Sequence, residues 1–194
     1  MSLIKKERQT RETYITINLD LYGEYLEKSK ITTGIGFLDH MLELFSFHSG
    51  VIFELTAEGD LEVDFHHTVE DIGITLGQAL EAALGERQGL ARYGEATIPM
   101  EEALSQAVID LARRPFLVYQ VTFPVERIGT FDTELVEEFF RALAINGLFT
   151  LHLRNFYGKN AHHIAESLFK AFAYAFKKAI TQIDEEVIST KGIL

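Results

Sequence analysis

The chain is 194 residues long, carries a formal net charge of −11 and contains no cysteine. This length fits one domain with its own core, or two small halves packed as one. The acidic balance argues against nucleic acid and anionic membranes as partners, and the lack of cysteine excludes disulfides, iron–sulfur clusters and thiolate metal sites. Residues 1–12 lack an apolar signal region and no apolar run is long enough to span a membrane, so we expect a cytoplasmic protein.

The spacing of apolar residues predicts two similar sets of elements along the chain. In the first half the predicted elements are a strand at 12–19, a weaker partner strand at 21–26, a helix at 37–47, a strand at 51–57 and a helix at 69–84. In the second half they are strands at 107–111 and 116–123, a helix at 133–144, a strand at 149–153 and a helix at 162–180. Residues 189–194 are expected to form a flexible polar tail.

A short sequence repeat supports this duplication. Residues 64–70 read DFHHTVE and residues 160–166 read NAHHIAE, an offset of 96 residues. Asp64 and Asn160 both suit the N-cap of a helix, which places each His pair in the first turns of the last helix of its half. We therefore predict an α+β fold: a single domain, residues 1–194, made of two internally duplicated ββαβα halves, about 1–90 and 91–194, packed into one compact unit.

The two His-His-x-x-Glu motifs predict metal binding. Neighbouring residues on a helix point about 100° apart, whereas residues i and i+4 share a face. The pairs that can chelate one ion are His66 with Glu70, and His162 with Glu166. The two other histidines, His67 and His163, point elsewhere and can serve a second ion. One such motif alone would be compatible with a solvated helix end, but two copies at matched places favour metal, and mixed imidazole and carboxylate ligands suit Mn, Fe or Zn, with Mn preferred.

Further single residues extend the predicted site. His40 lies on the middle helix of the first half, and Glu138 lies on the equivalent helix of the second half, so the repeat makes both candidate ligands. Lys170 follows the second motif by one helical turn and can bring positive charge near the metals. Arg114 lies in a tight strand connection, so both basic residues are candidates for gripping a phosphate or carboxylate.

Over nearly its whole length, the chain resembles the imidazoleglycerol-phosphate dehydratase family. The motifs that carry the resemblance are Arg11-Glu12-Thr13, Gly36-Phe37-Leu38-Asp39-His40-Met41-Leu42, His66-His67-Thr68-Val69-Glu70-Asp71, Pro99-Met100-Glu101-Glu102, Arg114-Pro115, Gly158-Lys159-Asn160-Ala161-His162-His163 through Glu166, Phe169-Lys170-Ala171-Phe172 and Ser189-Thr190-Lys191-Gly192.

The resemblance implies a fold, an assembly and a reaction. The fold would be ribosomal protein S5 domain 2-like, with its two ββαβα halves packed back to back. The chains would form trimers that manganese helps to join into a homo-oligomeric 24-mer, with two Mn²⁺ ions in each active site between subunits. The reaction would dehydrate D-erythro-imidazole-glycerol phosphate, a small phosphorylated imidazole, to imidazole-acetol phosphate in L-histidine biosynthesis, with the metals as Lewis acids and template.

The resemblance also implies roles for individual residues. One ion would be bound by His40, His67, His162 and Glu166, and the other by His66, Glu70, His163 and Glu138. Glu12 would be the acid–base group. The phosphate would be bound by Arg92, Arg114, Lys170, Ser189 and Lys191, and His48 is assigned to substrate binding.

The chain departs from the family pattern in several places: Glu138 stands where His is usual, Tyr174 where Arg is common and Phe65 where Asp is common, and the loop after Asp20 lacks the usual glycine-rich form. Two other functions remain open. One is a dinuclear metallohydrolase of a phosphorylated small molecule, which would hold its metals about 3.5–4 Å apart around a bridging water. The other is a non-catalytic, metal-stabilised shell protein, which would not need Glu12 or the basic residues.

Overall fold

The computed structural model describes residues 3–183, and each half of the chain forms a four-stranded sheet and two helices. The first half contains β1 (Ile4–Gln9), β2 (Thr13–Asp20), β3 (Lys30–Thr32), α1 (Gly36–Ser49), β4 (Ile52–Gly59) and α2 (His66–Leu84). The second half contains β5 (Tyr93–Met100), β6 (Ala103–Asp110), β7 (Phe116–Gln120), the two-stranded hairpin β8 (Arg127–Ile128) and β9 (Phe131–Asp132), α3 (Glu134–Asn146), β10 (Thr150–Tyr157) and α4 (Ala161–Ala179). The predicted tail at 189–194 lies outside the described residues.

The two sheets share one topology. Their strand orders are β1-β2-β4-β3 and β5-β6-β10-β7. Neighbouring strands are antiparallel except that β3 runs parallel to β4 and β7 runs parallel to β10. Helix α2 packs on β1 and β2, α4 packs on β5 and β6, and the helices meet as the pairs α2 with α3 and α1 with α4. The duplicated α+β architecture is therefore confirmed.

Aromatic packing and two glycines bring the halves together. Phe45 of α1 stacks on Phe172 of α4 with ring centroids 5.1 Å apart, within one apolar cluster that includes both halves. Gly73 and Gly77 of α2 face α3, and a Cβ on Gly73 would lie 2.8 Å from the carbonyl oxygen of Phe139. Glycine in a helix interior costs about 1 kcal/mol relative to alanine. These two glycines permit the close approach of α2 to α3.

The strand predictions were partly wrong. Residues 21–26 form no strand, because the carboxylate of Asp20 accepts the backbone N–H groups of Tyr25 at 2.5 Å and Leu26 at 2.8 Å and so closes this segment into a loop. The short strand β3 joins the sheet instead. The predicted elements also lack β5 and the β8–β9 hairpin. They lack β1 because it is an edge strand whose half-buried positions include Lys6 and Arg8.

Within residues 3–183, no helix is both long and apolar enough to cross a membrane.

Candidate active site

Each His pair lies at the start of its helix, as the sequence predicts. Asn160 is the N-cap of α4, and its side-chain oxygen accepts the backbone N–H groups of His162 at 2.9 Å and His163 at 3.4 Å. In the first half, Asp64 accepts the N–H of His66 at 2.8 Å, although α2 begins one residue later than an Asp64 cap would require. Both motifs are therefore fixed at helix starts by local hydrogen bonds.

The first cluster of possible metal ligands combines α1 with α4. His40, His162 and Glu166 each offer a ligand atom, and these atoms lie within 4.8 Å of one another. Glu166 Oε2 lies 3.2 Å from His162 Nε2, four residues earlier on the same helix, and 3.6 Å from His40 Nε2. The ring of Phe37 meets the ring of His162 edge-on, with centroids 5.4 Å apart.

Lys170 sets the charge balance of this cluster. Its Nζ donates to Glu166 Oε1 at 2.6 Å, so the second oxygen, Oε2, is the one that faces the two histidines. Glu166 is only 7% exposed. Burial alone would raise the pKa of Glu166, but the hydrogen bond and charge of Lys170, with His40 and His162, outweigh it and lower that pKa. Glu166 is thus held as an anion that faces two imidazoles.

An open cavity of about 550 Å³ borders the start of α4. Its lining includes His162, His163 and Glu102, together with the cations Arg127 and Lys159. The cavity leaves room for a ligand or a segment of another chain beside the second His pair.

The second cluster contains the candidate acid–base group. Glu12, Asp60 and His67 bring their ligand atoms within 4.8 Å of one another. His67 Nδ1 lies 3.0 Å from Asp60 Oδ2 and 3.8 Å from Glu12 Oε2. The hydrogen bond to Asp60 is the main cause of a raised pKa for His67, to which the charge of Glu12 also contributes. A neutral ring that donates from Nδ1 carries its lone pair on Nε2.

The third cluster contains Glu101, Glu102 and His163. His163 Nδ1 lies 2.7 Å from Glu102 Oε2, and Glu102 Oε1 accepts the backbone N–H groups of Lys159 and Asn160 at 3.0 and 2.7 Å. His163 first, and then these backbone groups, lower the pKa of Glu102 to about 2. The same contact raises the pKa of His163.

The remaining predicted ligands do not join these clusters. His66 is exposed, while Glu70 and Glu138 are half-buried. None of the three belongs to a group of possible metal ligands within residues 3–183. Of the four ligands predicted for one ion, a single chain therefore unites three, and His67 lies in a different cluster.

Besides Lys170 at Glu166, the predicted substrate-binding residues in the described part of the chain lie in two places. Arg92 Nε donates to Asp110 Oδ1 at 2.8 Å, and Arg114, whose side chain is 71% exposed, lies 3.4 Å from Asp110 Oδ2. His48 Nδ1 lies 3.2 Å from the hydroxyl of Tyr174, and burial, with the charge of Lys170 next, lowers its pKa. Ser189 and Lys191 lie outside the described residues.

Two carboxylates of the site were not singled out from the sequence. Asp60 lies at the end of β4, and Glu102 lies in the turn between β5 and β6. Glu102 is the last residue of Pro99-Met100-Glu101-Glu102, yet 61 residues separate it from His163, and no local pattern connects the two.

Comparison with known proteins shows which family the chain is similar to. Residues 33–176 match the family model described as imidazoleglycerol-phosphate dehydratase. A curated imidazoleglycerol-phosphate dehydratase of Alkaliphilus metalliredigens is 54% identical over 191 residues, covering 97% of this chain and 96% of the relative. That of Methylorubrum extorquens is 53% identical over 190 residues, covering 96% of each.

Solved structures agree with the sequence comparisons. The crystal structure of imidazoleglycerol-phosphate dehydratase from Staphylococcus aureus superimposes with a TM-score of 0.85 at 42% identity, covering 93% of this chain and 99% of that one. The enzyme from Pyrococcus furiosus superimposes with a TM-score of 0.84 at 38% identity, covering 97% of this chain and all of that one.

Proposed function

This chain belongs to the imidazoleglycerol-phosphate dehydratase family, and we propose that it carries out the family's reaction at a two-manganese site built from more than one copy of the chain. The reaction removes water from D-erythro-imidazole-glycerol phosphate to give imidazole-acetol phosphate, a step of L-histidine biosynthesis. Family membership therefore favours a dehydratase over the metallohydrolase and the non-catalytic shell protein. A cytoplasmic location accords with this biosynthetic role.

The donor chemistry of the clusters fits manganese. His40, His162 and Glu166 offer two imidazole nitrogens and one carboxylate oxygen within 4.8 Å, with no sulfur, a set that suits Mn²⁺ as well as Fe²⁺ and Zn²⁺. When bound, such ions supply Lewis acidity and a template for the imidazole of the substrate. We assign the second ion to His66, Glu70, His163 and Glu138.

The division of the ligands supports a shared site. His67 is the predicted fourth ligand of the ion at His40, His162 and Glu166, yet on one chain it lies with Glu12 and Asp60 instead. A second copy that presents its α2 start to the α4 start of the first would complete the set, and the cavity beside His162 and His163 gives room for it. Repeating this contact builds a homo-oligomer, which is closed if the rotation between copies closes, and we propose the 24-mer of trimers.

We assign proton transfer and phosphate binding to the remaining residues of the site. We assign proton transfer at the substrate carbon or at the leaving hydroxyl to Glu12, which is 54% exposed and lies 3.8 Å from His67. Arg92 and Arg114 share Asp110 and offer guanidinium groups to the phosphate, with Lys170 as a further cation. Ser189 and Lys191 complete the proposed phosphate site.

Complementation between inactive variants tests the shared site. One variant carries His66→Ala and His67→Ala, and the other carries His162→Ala and His163→Ala. Each is stripped of metal, mixed with the other in equal amounts and reloaded with Mn²⁺. Random mixing of copies should leave about one quarter of the sites with both motifs intact, so activity should return to about that fraction. Each variant reloaded alone is the control, and mixed particles without activity would overturn the shared site.

Glu12→Gln tests the acid–base assignment. The amide keeps the size of the side chain but cannot accept the proton, so we expect turnover to fall by about 100-fold or more. Manganese content and particle size should stay as in the unchanged protein, and near-normal turnover would remove Glu12 from this role.

A further inference from the structure

Asp71 is a buried carboxylate that accepts hydrogen bonds from both strands of the β1–β2 hairpin. It lies one helical turn after His67 on α2 and is 5% exposed. Thr13 Oγ1 lies 2.5 Å from Asp71 Oδ2, and Arg8 Nε donates to Asp71 Oδ1 at 2.7 Å. Both carboxylate oxygens are therefore used by residues on either side of the loop that connects β1 to β2.

That loop carries Glu12, and its hydrogen bonds have a fixed direction. A carboxylate only accepts, so the Thr13 hydroxyl donates to Asp71 and can accept from the Thr10 hydroxyl 3.1 Å away. The Thr10 oxygen then accepts the backbone N–H of Glu12 at 3.1 Å and that of Thr13 at 2.9 Å. The charge at Asp71 thus orients a chain of hydrogen bonds that ends on the backbone of Glu12.

The other side of the loop is tied to the same helix. The carbonyl of Glu12 accepts the N–H of Asp60 at 3.1 Å, and the Asp60 side chain contacts His67. Because His67 and Asp71 are i and i+4 on α2, they share one face of the helix. That face therefore holds the Glu12 loop at two points.

The duplicated half provides an internal comparison. Thr13 pairs with Gly59 across its sheet, and Ser105 pairs with Asn155 across the other. Gly59 and Asn155 are 96 residues apart, the same offset as the His pairs, so Ser105 occupies the place of Thr13.

The same offset puts Ser167 in the place of Asp71. Ser105 and Ser167 make the equivalent strand-to-helix hydrogen bond, 2.6 Å between buried hydroxyls. The strand register puts Ala96 in the place of Arg8. Neutral hydroxyls thus suffice to join strand to helix, and the charged pair occurs in the half that carries Glu12.

We propose that Asp71, with Arg8 as its counterion, is a positioning residue that fixes Glu12 for proton transfer. This inference rests on the proposed role of Glu12. Asp71 does not touch the substrate in this scheme, and it acts through Thr13 and Thr10.

The test uses the manganese-loaded enzyme and matched variants in the two halves. Asp71→Asn should lower kcat by about tenfold or more, since small misplacements of a reacting group have large effects on rate, with KM and manganese content close to those of the unchanged enzyme. Thr13→Ala should lower kcat similarly, and Thr13→Ser should restore it. Ser105→Ala removes the equivalent buried hydrogen bond of the second half and should lower thermal stability as much as Thr13→Ala does, with kcat unchanged.

Equal kcat values in Thr13→Ala and Ser105→Ala would overturn the proposal and leave Asp71 a stabilising residue. If Asp71→Asn does not fold, the comparison at Thr13 and Ser105 still decides. Glu12→Gln distinguishes failure of the positioning role of Asp71 from failure of the acid–base role of Glu12. If that variant is inactive while Asp71→Asn turns over normally, the positioning role alone fails; if Glu12→Gln turns over normally, the acid–base assignment fails as well.

Discussion

At the scale of single residues, the site depends on carboxylates that orient histidines. His67 and His163 each have a carboxylate oxygen near Nδ1, at 3.0 Å from Asp60 and 2.7 Å from Glu102. An Nδ1–H that donates to a carboxylate leaves Nε2 as the metal-binding nitrogen of the neutral ring. The two carboxylates therefore select the nitrogen that each ring presents.

Glu102→Gln should weaken manganese binding by about 10- to 100-fold, the usual effect of losing a group that orients a ligand. The amide can still accept the N–H groups of Lys159 and Asn160, but its NH₂ would face His163 Nδ1 and favour the tautomer protonated on Nε2. Isothermal titration of the metal-free protein with Mn²⁺ measures the change.

Glu101→Gln is the matched control for that experiment. It removes the same charge from the same turn, while the hydrogen bond between Glu102 and His163 remains. Equal weakening in both variants would show that charge near His163 matters and the oriented hydrogen bond does not.

Glu138, for which the resemblance to the family leads us to expect His, remains a predicted ligand. It is half-buried on α3, in the place that mirrors His40. If it binds the second ion, Glu138→Ala should lower manganese content toward one ion per chain, whereas Glu138→His should keep two and can raise the rate because imidazole leaves the ion more Lewis acidic. Elemental analysis measures this, and a Glu138→Ala variant with two ions and full activity would leave Glu138 a surface residue.

At the scale of elements, the sequence predicted the helices better than the strands. Long apolar stretches with helical spacing give α1 to α4 within a few residues, whereas β1 presents Lys6 and Arg8 where a core strand would present apolar residues. The residues of the candidate site likewise divide into those that the sequence predicts and those that it does not. The His pairs are visible because they are contiguous, but Asp60 and Glu102 arrive from strand ends, and only the folded sheets bring them to His67 and His163.

The loop after β2 offers a pH-dependent test at this scale. Burial alone would raise the pKa of Asp20, but backbone N–H groups, including those of Tyr25 and Leu26, outweigh it and lower the pKa from its ordinary value of 3.8. A lowered pKa in the folded state stabilises the protein above the unfolded value, and this contribution is lost as pH falls through the folded pKa.

Asp20→Asn should therefore destabilise the protein by about 1.5–3 kcal/mol at pH 7, the range for hydrogen bonds to a charged group. The difference from the unchanged chain should shrink below about pH 4. Thermal unfolding of both metal-free proteins across this range checks it, with the exposed Glu58→Gln as control. A difference that is constant with pH would remove the charge of Asp20 from the explanation.

At the scale of the whole molecule, the proposed metal site and the net charge of the chain would act on assembly together. Each chain has a formal net charge of −11, so copies repel one another when they associate. In the proposed site, an ion bound by His67 of one copy and by the cluster of His40, His162 and Glu166 of another would link the two chains and neutralise local negative charge. The metal would then be part of the interface as well as of the catalytic site.

Removal of metal should therefore reduce the size of the particle. Chelation should lower the mass measured by light scattering during size-exclusion chromatography, and added Mn²⁺ should restore it. Repulsion between acidic copies is screened by salt, so the metal-free particle should dissociate more at low than at high ionic strength. Chelator saturated with Mn²⁺ beforehand is the control for effects of the chelator itself. A particle of unchanged mass, at low salt and with its metal content shown to be near zero, would contradict ligation between copies and require each chain to bind its ions alone.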